Sequence, residues 1–167
     1  GGHCIPVDPH FLAWKLKTLN YNARFIELAS EVTRSMPNYV VDKITDALNE
    51  YERCLKGSNI LILGVTYKPD VSDIRESPAL DIIEMLVEKG AKVSYSDPFV
   101  DHLQTDSLDL KSTSLRKINI TDADCVVIVT HHSDWDYEWI VKHACCIVDT
   151  RNATQAVSGK KDHVFKL

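Results

Sequence analysis

The stretch that decides the fold is NILILGVTYKPDVSDIRESPALDIIEMLVEKG, residues 59–90. It begins with NILILGV, a continuous aliphatic run of strand length, and after a polar loop it continues into SPALDIIEMLVEKG, a helical pattern that ends in glycine. The next residues, AKVSYSDP (91–98), predict a second strand. A buried strand followed by a helix and another strand is typical of a parallel sheet.

The same alternation continues toward the C-terminus. DADCVVIVT (122–130) predicts a buried strand, DWDYEWIVKHA (134–144) a short helix and CCIVDT (145–150) a further strand. Residues 99–121 are largely polar and are predicted to be mostly loop. Residues 57–167 are therefore expected to form a small doubly wound parallel sheet with helices on both faces. Within this pattern we expect three cysteines to pack as small apolar residues: Cys54, Cys145 and Cys146.

The residues upstream of the sheet are predicted to be helical. Asp8-Pro9 is typical of a helix start, because aspartate can cap free N–H groups and proline suits the first helical position. Residues 23–57 carry apolar side chains at helical intervals, and Pro37 interrupts them. The pattern predicts either two consecutive helices or one kinked helix. The chain thus divides into a helical region, residues 1–56, and an α/β region, residues 57–167.

Composition narrows the classes of protein to which the chain can belong. It has 167 residues, 44% of them hydrophobic and 26% charged, with a formal net charge of -5. Its basic residues are scattered, which argues against a nucleic-acid partner, and no apolar run approaches the length of a membrane span. Five cysteines without framework spacing favour a reducing, cytoplasmic compartment. Because the chain begins on Gly-Gly rather than Met, we expect it to be a fragment.

The loop after the first strand is the first candidate binding site. Ligands of open parallel sheets bind beyond the carboxyl ends of the strands, where Lys68, Arg75 and the helix start at Ser77 could hold an anion. Gly64 is the loop's one glycine, so the loop lacks the G-x-G-x-x-G pattern that brings a dinucleotide close to the backbone. This favours a nucleoside diphosphate held by cationic side chains. The alternative is that Ser77 simply caps a helix while Arg75 lies in solvent.

Two other strand ends carry candidate polar groups. Arg151, just beyond the strand CCIVD, is placed to reach the same cleft. His131 and His132 follow the strand DADCVVIVT, and an adjacent pair of this kind is expected to be solvated or to cap a helix. We therefore predict a role for Arg151 and none for the two histidines.

The second candidate site is GGHCIPVDPHF, residues 1–11, which contains Cys4. The reactive thiolate form of a cysteine is favoured near a helix N-terminus, Gly1 would let the backbone approach a substrate, and Asp8 could orient water. A metal site formed by His3, Cys4 and His10 lacks a fourth ligand at a recognisable spacing, and we predict no metal. Two hypotheses remain: an enzyme with a catalytic thiol, or a nucleotide-binding or dimerisation module whose cysteine is inert.

GGHCIPVDP and GVTYKPDVSDIRESPALDIIEMLVEKGAKVSYSDP together resemble the UDP-glucose/GDP-mannose dehydrogenase family, and most of all its UDP-N-acetylglucosamine and UDP-N-acetylmannosamine 6-dehydrogenases. Such enzymes oxidise the sugar C6 alcohol to a carboxylate with two NAD⁺ and supply uronic acids for polysaccharide. The resemblance implies a central dimerisation helix and a C-terminal, Rossmann-like UDP-sugar domain, in a homodimer or larger homo-oligomer. NAD would be bound mainly by an N-terminal domain absent here, so we expect this chain alone to be inactive.

The resemblance also implies a role for each matching residue at the N-terminus. Cys4 corresponds to the nucleophile that adds to the aldehyde intermediate, giving a thiohemiacetal and then a thioester. Asp8 corresponds to the carboxylate that assists water, and Gly1 lies in the turn that approaches the sugar. Val7 stands at a cofactor-facing position where UDP-glucose enzymes have lysine in GGSCFPKD. Together with His3 in place of the serine and Ile5 in place of the aromatic residue, this difference favours an N-acetylated sugar over UDP-glucose.

In the second segment the resemblance implies contacts with both ligands. Tyr67 and Lys68 match residues that bind the substrate, Arg151 matches an arginine that binds the nucleotide sugar, and Arg75 matches one that reaches NAD. A cation is chemically suited to each ligand, because both carry a pyrophosphate.

Overall fold

The computed structural model describes residues 4–167, without the side chains of Ile5 and Pro6. Five helices and seven strands follow one another in the described chain. In order they are α1 (Cys4–Lys17), α2 (Arg24–Asn49), β1 (Asn59–Leu63), α3 (Pro78–Glu88), β2 (Lys92–Ser96), β3 (His102–Gln104), β4 (Asp109–Lys111), α4 (Lys117–Thr121), β5 (Cys125–Ile128), α5 (Tyr137–His143), β6 (Ile147–Asp149) and β7 (Val164–Lys166).

Five strands form one parallel sheet in the order β2-β1-β5-β6-β7. Successive side chains of a strand point to opposite faces. Ile60 and Ile62 of β1 therefore pack in one core with α2 and α3, whereas Leu61 and Leu63 pack in a second core with α4 and α5. Both faces are covered, which explains why β1 is continuously aliphatic rather than alternating. The predicted α/β class with a doubly wound parallel sheet is confirmed.

Helix α3 begins where the sequence predicts. Ser77 is extended, its hydroxyl accepts a hydrogen bond from the Ala79 N–H at 3.4 Å, and Pro78 occupies the first helical position. Proline costs nothing there because the first N–H groups of a helix have no intrahelical partner. This start fixes where the preceding loop ends and therefore where its side chains lie.

The first two helices differ from the prediction. Helix α1 begins at Cys4, so Asp8 is not its cap and Pro9 lies inside it. Pro9 is the sixth residue of Cys4–Lys17 and lies beyond the four N–H groups that need no partner, so it removes one intrahelical hydrogen bond. Of the two alternatives for the next segment, the structure has the single helix: α2 continues through Pro37. It ends at Asn49, however, instead of continuing to residue 57. Its second half buries four large apolar side chains, those of Val40, Val41, Ile44 and Leu48, at about 1.5–3 kcal/mol each, which outweighs a cost of about 3 kcal/mol for an internal proline.

The prediction of loop over residues 99–121 is wrong in part. Strands β3 and β4 pair as an antiparallel hairpin with His102 opposite Lys111, and α4 follows them. Leu103, Leu108 and Ile120 are buried and anchor this segment to the rest of the domain. Because these apolar residues stand singly among polar ones, they produce no periodicity that could indicate regular structure.

The cysteines are divided between the core and the surface. Cys125 and Cys146 are buried on neighbouring strand ends with their Sγ atoms 3.7 Å apart, as a pair of thiols. Cys54 and Cys145 are exposed, so the expectation that both would pack as small apolar residues is wrong. Cys145 lies in the bend before β6 and is exposed, whereas Cys146, the next residue, packs in the core with α2 and α3.

The second half of α2 shares the core of β1 and α3, so the helical region packs directly on the sheet. The boundary at residue 56 between two units stays a prediction. Across residues 4–167, no helix has the length and apolar character required to span a membrane.

Candidate nucleotide-binding site

The carboxyl ends of the parallel strands meet at one edge of the sheet, which we call the carboxyl edge. It is formed by the residues that follow β1, β2, β5 and β6: 64–76, 97–101, 129–136 and 150–154. Backbone N–H groups and the N-terminus of α3 face this edge, as in other open parallel sheets that bind ligands. The candidate residues Tyr67, Lys68, Arg75 and Arg151 all lie in these loops.

Gly64 makes the transition from β1 into the loop. Its φ is +83°, and a Cβ at this position would lie 2.2 Å from the carbonyl oxygen of Thr130. A side chain is excluded both by this contact and by the left-handed backbone conformation. Gly64 therefore lets the loop after β1 pass directly against the loop after β5.

The backbone of the loop is held close to the sheet by side-chain hydrogen bonds. The Thr130 hydroxyl donates to the carbonyl oxygen of Thr66 at 2.5 Å, and the Thr66 hydroxyl donates to the carbonyl oxygen of Lys68 at 2.9 Å. The Tyr67 N–H donates to the carbonyl oxygen of Asp73 at 3.1 Å, which closes the loop on itself. The backbone on either side of Tyr67 is thus anchored.

Within this anchored loop the two predicted substrate residues lie together. Lys68 Nζ is 5.3 Å from the centroid of the Tyr67 ring, a cation–π distance. Tyr67 is half-buried and Lys68 is exposed. The pair presents an aromatic ring and an accessible positive charge side by side at the carboxyl edge.

Arg75 lies at the end of the same loop, just before α3. Its Nη2 is 2.6 Å from Asp73 Oδ2 and its Nε is 3.0 Å from Asp73 Oδ1, and the hydrogen bonds and charge of Asp73 raise the pKa of Arg75. The side chain is 68% exposed. Asp73 therefore orients the guanidinium, while most of its surface stays open to a ligand.

A buried polar cluster that no sequence pattern indicated lies beneath the loop. Asp97 is 3% exposed, and its carboxylate accepts hydrogen bonds from the N–H groups of Val65 and Phe99, both at 2.8 Å. His132 Nε2 lies 3.1 Å from Asp97 Oδ2. Burial alone would raise the pKa of Asp97, but these hydrogen bonds outweigh it, so the pKa of Asp97 is lowered.

His132 corrects the prediction made for the histidine pair. It is fully buried at 0% exposure rather than solvated, and its ring lies between those of Phe99 and Trp135. His131 is partly buried, with a buried Nδ1 that has no hydrogen-bond partner among the described residues. Two adjacent histidines carry no local signal that could distinguish them, because their burial depends on the loops folded over them.

Arg151 lies at the end of β6, separated from β1 by β5. The turn that carries it is organised by Asp149, which is 1% exposed and accepts hydrogen bonds from the backbone N–H groups of Arg151, Ala153 and Thr154 at 2.9–3.1 Å. The Arg151 side chain is exposed. The structure places it at the predicted edge, with its backbone fixed and its charge accessible.

The thiol and its neighbours lie on α1. Cys4 is the first residue of the helix, and Asp8 lies one turn further along the same face; both are exposed. Val7 lines a groove of about 490 Å³ between α1 and α2, and Glu76 from the end of the loop lines it too. Gly1 lies outside the described residues. The groove therefore connects the helix of the candidate nucleophile with the loop of Arg75.

A comparison with known families identifies the sheet region. Residues 61–156 match the model described as "UDP-glucose/GDP-mannose dehydrogenase family, UDP binding domain". This match covers more than half of the chain. The chain belongs to this family.

Individual relatives agree with the assignment. The chain is 39% identical over 132 residues to a UDP-N-acetyl-D-mannosamine dehydrogenase of Methanococcus maripaludis, covering 79% of this chain and 28% of that protein. It is 31% identical over 166 residues to a UDP-glucose 6-dehydrogenase of Rickettsia bellii, covering 93% and 37%. The solved UDP-N-acetyl-D-mannosamine dehydrogenase of Pyrococcus horikoshii superposes with a TM-score of 0.79 at 26% identity, covering 99% and 38%.

The chain thus spans less than two fifths of the length of these dehydrogenases. The matched UDP-binding region contains Tyr67, Lys68, Arg75 and Arg151, whereas Cys4 and Asp8 lie upstream of it. Among the described residues, no three His, Cys, Asp or Glu side chains converge to hold a metal ion. The family assignment therefore concerns the carboxyl edge of the sheet, and the part played by α1 is a separate question.

Proposed function

We propose that this chain is the nucleotide-sugar-binding part of an NAD-dependent 6-dehydrogenase that oxidises a UDP-N-acetylhexosamine to its uronic acid, and that the carboxyl edge holds the UDP group. The observation that carries the proposal is the anchored loop 64–76, which presents Tyr67 and Lys68 together within the region matched as a UDP-binding domain. The names of the Methanococcus and Pyrococcus relatives support the N-acetylated sugar. The Rickettsia relative makes UDP-glucose the competing substrate.

Two cations serve the pyrophosphate in this proposal. Lys68 supplies a compact charge beside the Tyr67 ring, and Arg151 supplies a planar guanidinium that can bind two phosphate oxygens at once. The Tyr67 ring offers a flat apolar surface for packing against the nucleotide. Because the turns that carry these residues are fixed by Thr66, Thr130 and Asp149, ordering the site on binding costs little conformational entropy.

The chemical step is assigned to α1. The Cys4 thiolate adds to the C6 aldehyde and forms a C–S bond, which gives a thiohemiacetal; after the second oxidation the thioester is hydrolysed by water, and the acid and free thiol are released. Asp8 lies one helical turn from Cys4 and accepts a proton from that water. The exposure of both side chains leaves them accessible to a substrate held at the neighbouring edge.

NAD⁺ supplies the hydride acceptor when it is bound. Arg75 fits a contact with its pyrophosphate, because the side chain is 68% exposed and the guanidinium carries five N–H donors, of which Asp73 engages those at Nε and Nη2. Val7 lines the groove that Glu76 also lines, next to Arg75, and contributes an apolar wall there. The dinucleotide fingerprint is missing from the sequence, so we expect no dehydrogenase activity from the 167-residue chain by itself.

Two further proposals concern the setting of the enzyme. Phe11, Trp14 and Phe25 on α1 and α2 are at least 66% exposed, and an apolar surface of this kind supports association of two copies through the helices. Cross-linking of Phe25→Asp and wild-type protein tests this association: the wild type should give a dimer, and the variant a monomer.

The second of these proposals concerns the compartment. All five cysteines are free thiols, which supports a reducing compartment such as the cytoplasm.

Calorimetric titration with nucleotide sugars tests the proposed function. The chain should bind UDP-N-acetylglucosamine or UDP-N-acetylmannosamine more tightly than UDP-glucose and GDP-mannose. Lys68→Ala should weaken binding by about tenfold to a hundredfold, because a charge-assisted hydrogen bond contributes about 1.5–3 kcal/mol. Lys92→Ala is the matched control, since Lys92 is exposed at the first residue of β2, at the opposite edge of the sheet.

The outcomes separate the hypotheses. If Lys68→Ala binds the UDP-sugar as tightly as Lys92→Ala does, loop 64–76 is not part of the binding site. A longer protein that contains this chain can be compared with its Cys4→Ser variant. If both oxidise UDP-sugars at the same rate, Cys4 is inert and this chain serves only as a nucleotide-binding module. Reduction of NAD⁺ by the 167-residue chain would contradict the expectation that the cofactor domain lies elsewhere.

A further inference from the structure

His132 occupies the point where three loops of the carboxyl edge meet. It follows β5, its ring is fully buried, and its two nitrogens face partners more than 30 residues away in sequence. Nδ1 lies 3.0 Å from the backbone N–H of Asp70, and Nε2 lies 3.1 Å from Asp97 Oδ2. The ring therefore bridges the loop after β1 and the end of β2.

These two contacts fix the tautomer of the ring. A backbone N–H can only donate, so Nδ1 must present its lone pair to Asp70. A neutral imidazole then carries its proton on Nε2, which donates to the carboxylate of Asp97. Asp97 is held in turn by the N–H groups of Val65 and Phe99, so His132 rests on a fixed acceptor.

The other side of Asp70 is held by the residue next to His132. The Asp70 carboxylate accepts hydrogen bonds from the Ser133 N–H at 2.9 Å and the Ser133 hydroxyl at 2.6 Å, and these bonds lower the pKa of Asp70. Asp70 has a φ of +61°, a conformation that non-glycine residues seldom adopt without such support. His132 and Ser133 thus grip Asp70 at its backbone and at its side chain.

Asp70 lies two residues beyond Lys68 in the loop. The Thr66 hydroxyl fixes the carbonyl oxygen of Lys68 from the other side, and the same hydroxyl is 3.5 Å from His132 Nε2. The backbone between Thr66 and Asp70 is therefore held at both ends by groups that meet at His132. Tyr67 and Lys68, the proposed substrate residues, are the side chains that this short segment presents.

We propose that His132 is a positioning residue for the nucleotide-sugar site, which acts through the hydrogen bond from the Asp70 N–H to Nδ1 and so holds Tyr67 and Lys68 toward the ligand. This inference rests on the proposed function of loop 64–76. Loss of the hydrogen bond leaves the loop in its binding conformation for a smaller fraction of the time, and the apparent affinity falls by that fraction.

Three substitutions of His132 separate this role from simple filling of the core. Asparagine places its Oδ1 close to the position of Nδ1 and keeps an acceptor for the Asp70 N–H. Glutamine reaches toward Asp97 but leaves the position of Nδ1 without an acceptor, and phenylalanine fills the space with no hydrogen bond. With UDP-N-acetylglucosamine as the probe, we expect the affinity of His132→Asn to lie within about threefold of the wild type, and that of His132→Gln and His132→Phe to fall about tenfold.

If His132 only fills the core, the order of affinities is reversed: His132→Phe binds most nearly as the wild type does, and His132→Asn differs from it most. His102→Asn serves as the control for loss of a histidine, because His102 is exposed in the β3–β4 hairpin and pairs with Asp109. Its affinity should equal that of the wild type. Circular dichroism establishes that each variant is folded before titration.

The tautomer is tested separately in the wild-type protein. Long-range ¹H–¹⁵N correlation spectra should show His132 protonated on Nε2 and not on Nδ1, and a proton on Nδ1 at neutral pH would overturn the proposal. If the wild type binds the UDP-sugar and the three variants bind it equally, the positioning role alone is refuted. If the wild type binds no UDP-sugar, the proposed function fails and the positioning role fails with it.

Discussion

Replacing Asp97 by asparagine tests the buried cluster on which the loop rests. The carboxylate accepts three hydrogen bonds: Oδ1 from the Phe99 N–H, and Oδ2 from the Val65 N–H and His132 Nε2. Asparagine has nearly the same shape but offers one oxygen, and its NH₂ group cannot accept. The orientation that keeps the two bonds at Oδ2 leaves the Phe99 N–H facing a second donor.

The cost follows from the contacts that change. The Phe99 N–H is only part-buried, so leaving it without an acceptor costs about 1 kcal/mol, and each of the two remaining bonds weakens by roughly 1 kcal/mol when the acceptor loses its charge. The free energy of unfolding should therefore fall by about 3 kcal/mol. For a chain of this length the melting temperature should fall by about 6–12 °C, at roughly 2–4 °C per kcal/mol. The variant should remain folded, because domains have a stability of about 5–15 kcal/mol.

The loss of unfolding free energy caused by Asp97→Asn should depend on pH. The pKa of Asp97 is lower in the folded protein than its ordinary value of 3.8, so its ionised form stabilises the fold above that value. As pH falls below about 4, toward the lowered folded pKa, this stabilisation is lost from the wild type, whereas the variant has no carboxyl to protonate. The difference in unfolding free energy between the wild type and Asp97→Asn is therefore expected to be largest at pH 7 and to become smaller as pH falls below 4.

Urea unfolding followed by circular dichroism at pH 7, 4.5 and 3.5 measures both effects. Asp109→Asn is the matched control, because Asp109 is 77% exposed and its partner His102 is exposed too; its effect should stay within about 0.5 kcal/mol. Equal stability of Asp97→Asn and the wild type at pH 7, or a gap that stays constant down to pH 3.5, would refute the reasoning.

Three further predictions follow from single contacts. Gly64→Ala should lower the melting temperature strongly or prevent folding, because its Cβ would lie 2.2 Å from the Thr130 carbonyl oxygen; a melting temperature within 2 °C of the wild type would contradict the reading of the β1–β5 contact. Ser77→Ala should lower the unfolding free energy in urea by about 1 kcal/mol through loss of the cap of α3, and an unchanged midpoint would argue against that cap. In a thiol-reagent assay three cysteines should react quickly, and Cys125 and Cys146 should react only at the rate of unfolding; five fast thiols would contradict their burial.

Local patterns in the sequence were sufficient for the main elements of the sheet region. The Ser77-Pro78 start of α3 reports an interaction between residues close in the chain, and the continuous aliphatic run of β1 reports a need for burial on two faces. The family resemblance also followed from local segments, and residues 61–156 bear it out. The roles assigned to individual residues on α1 and at the carboxyl edge stay predictions.

Short strands with few apolar residues could not be predicted from local sequence patterns. Strand β7 has three residues, and it exists because it pairs with β6, which no local pattern can report. For α2 the sequence left two alternatives open, two consecutive helices or one kinked helix. The sheet decides for a single helix, since burial of its second half offsets the hydrogen bond that Pro37 cannot make.

By itself the sequence determined that buried strands alternate with helices, because a strand that is buried on both faces has a continuous run of aliphatic residues. Only the tertiary structure decided the strand order and the place of His132. Its partners Asp70 and Asp97 lie 62 and 35 residues away, and their hydrogen bonds form only after β1, β2 and β5 have paired. A buried polar cluster of this kind has no local signature, because its energy comes from satisfying donors and acceptors that the fold brings together.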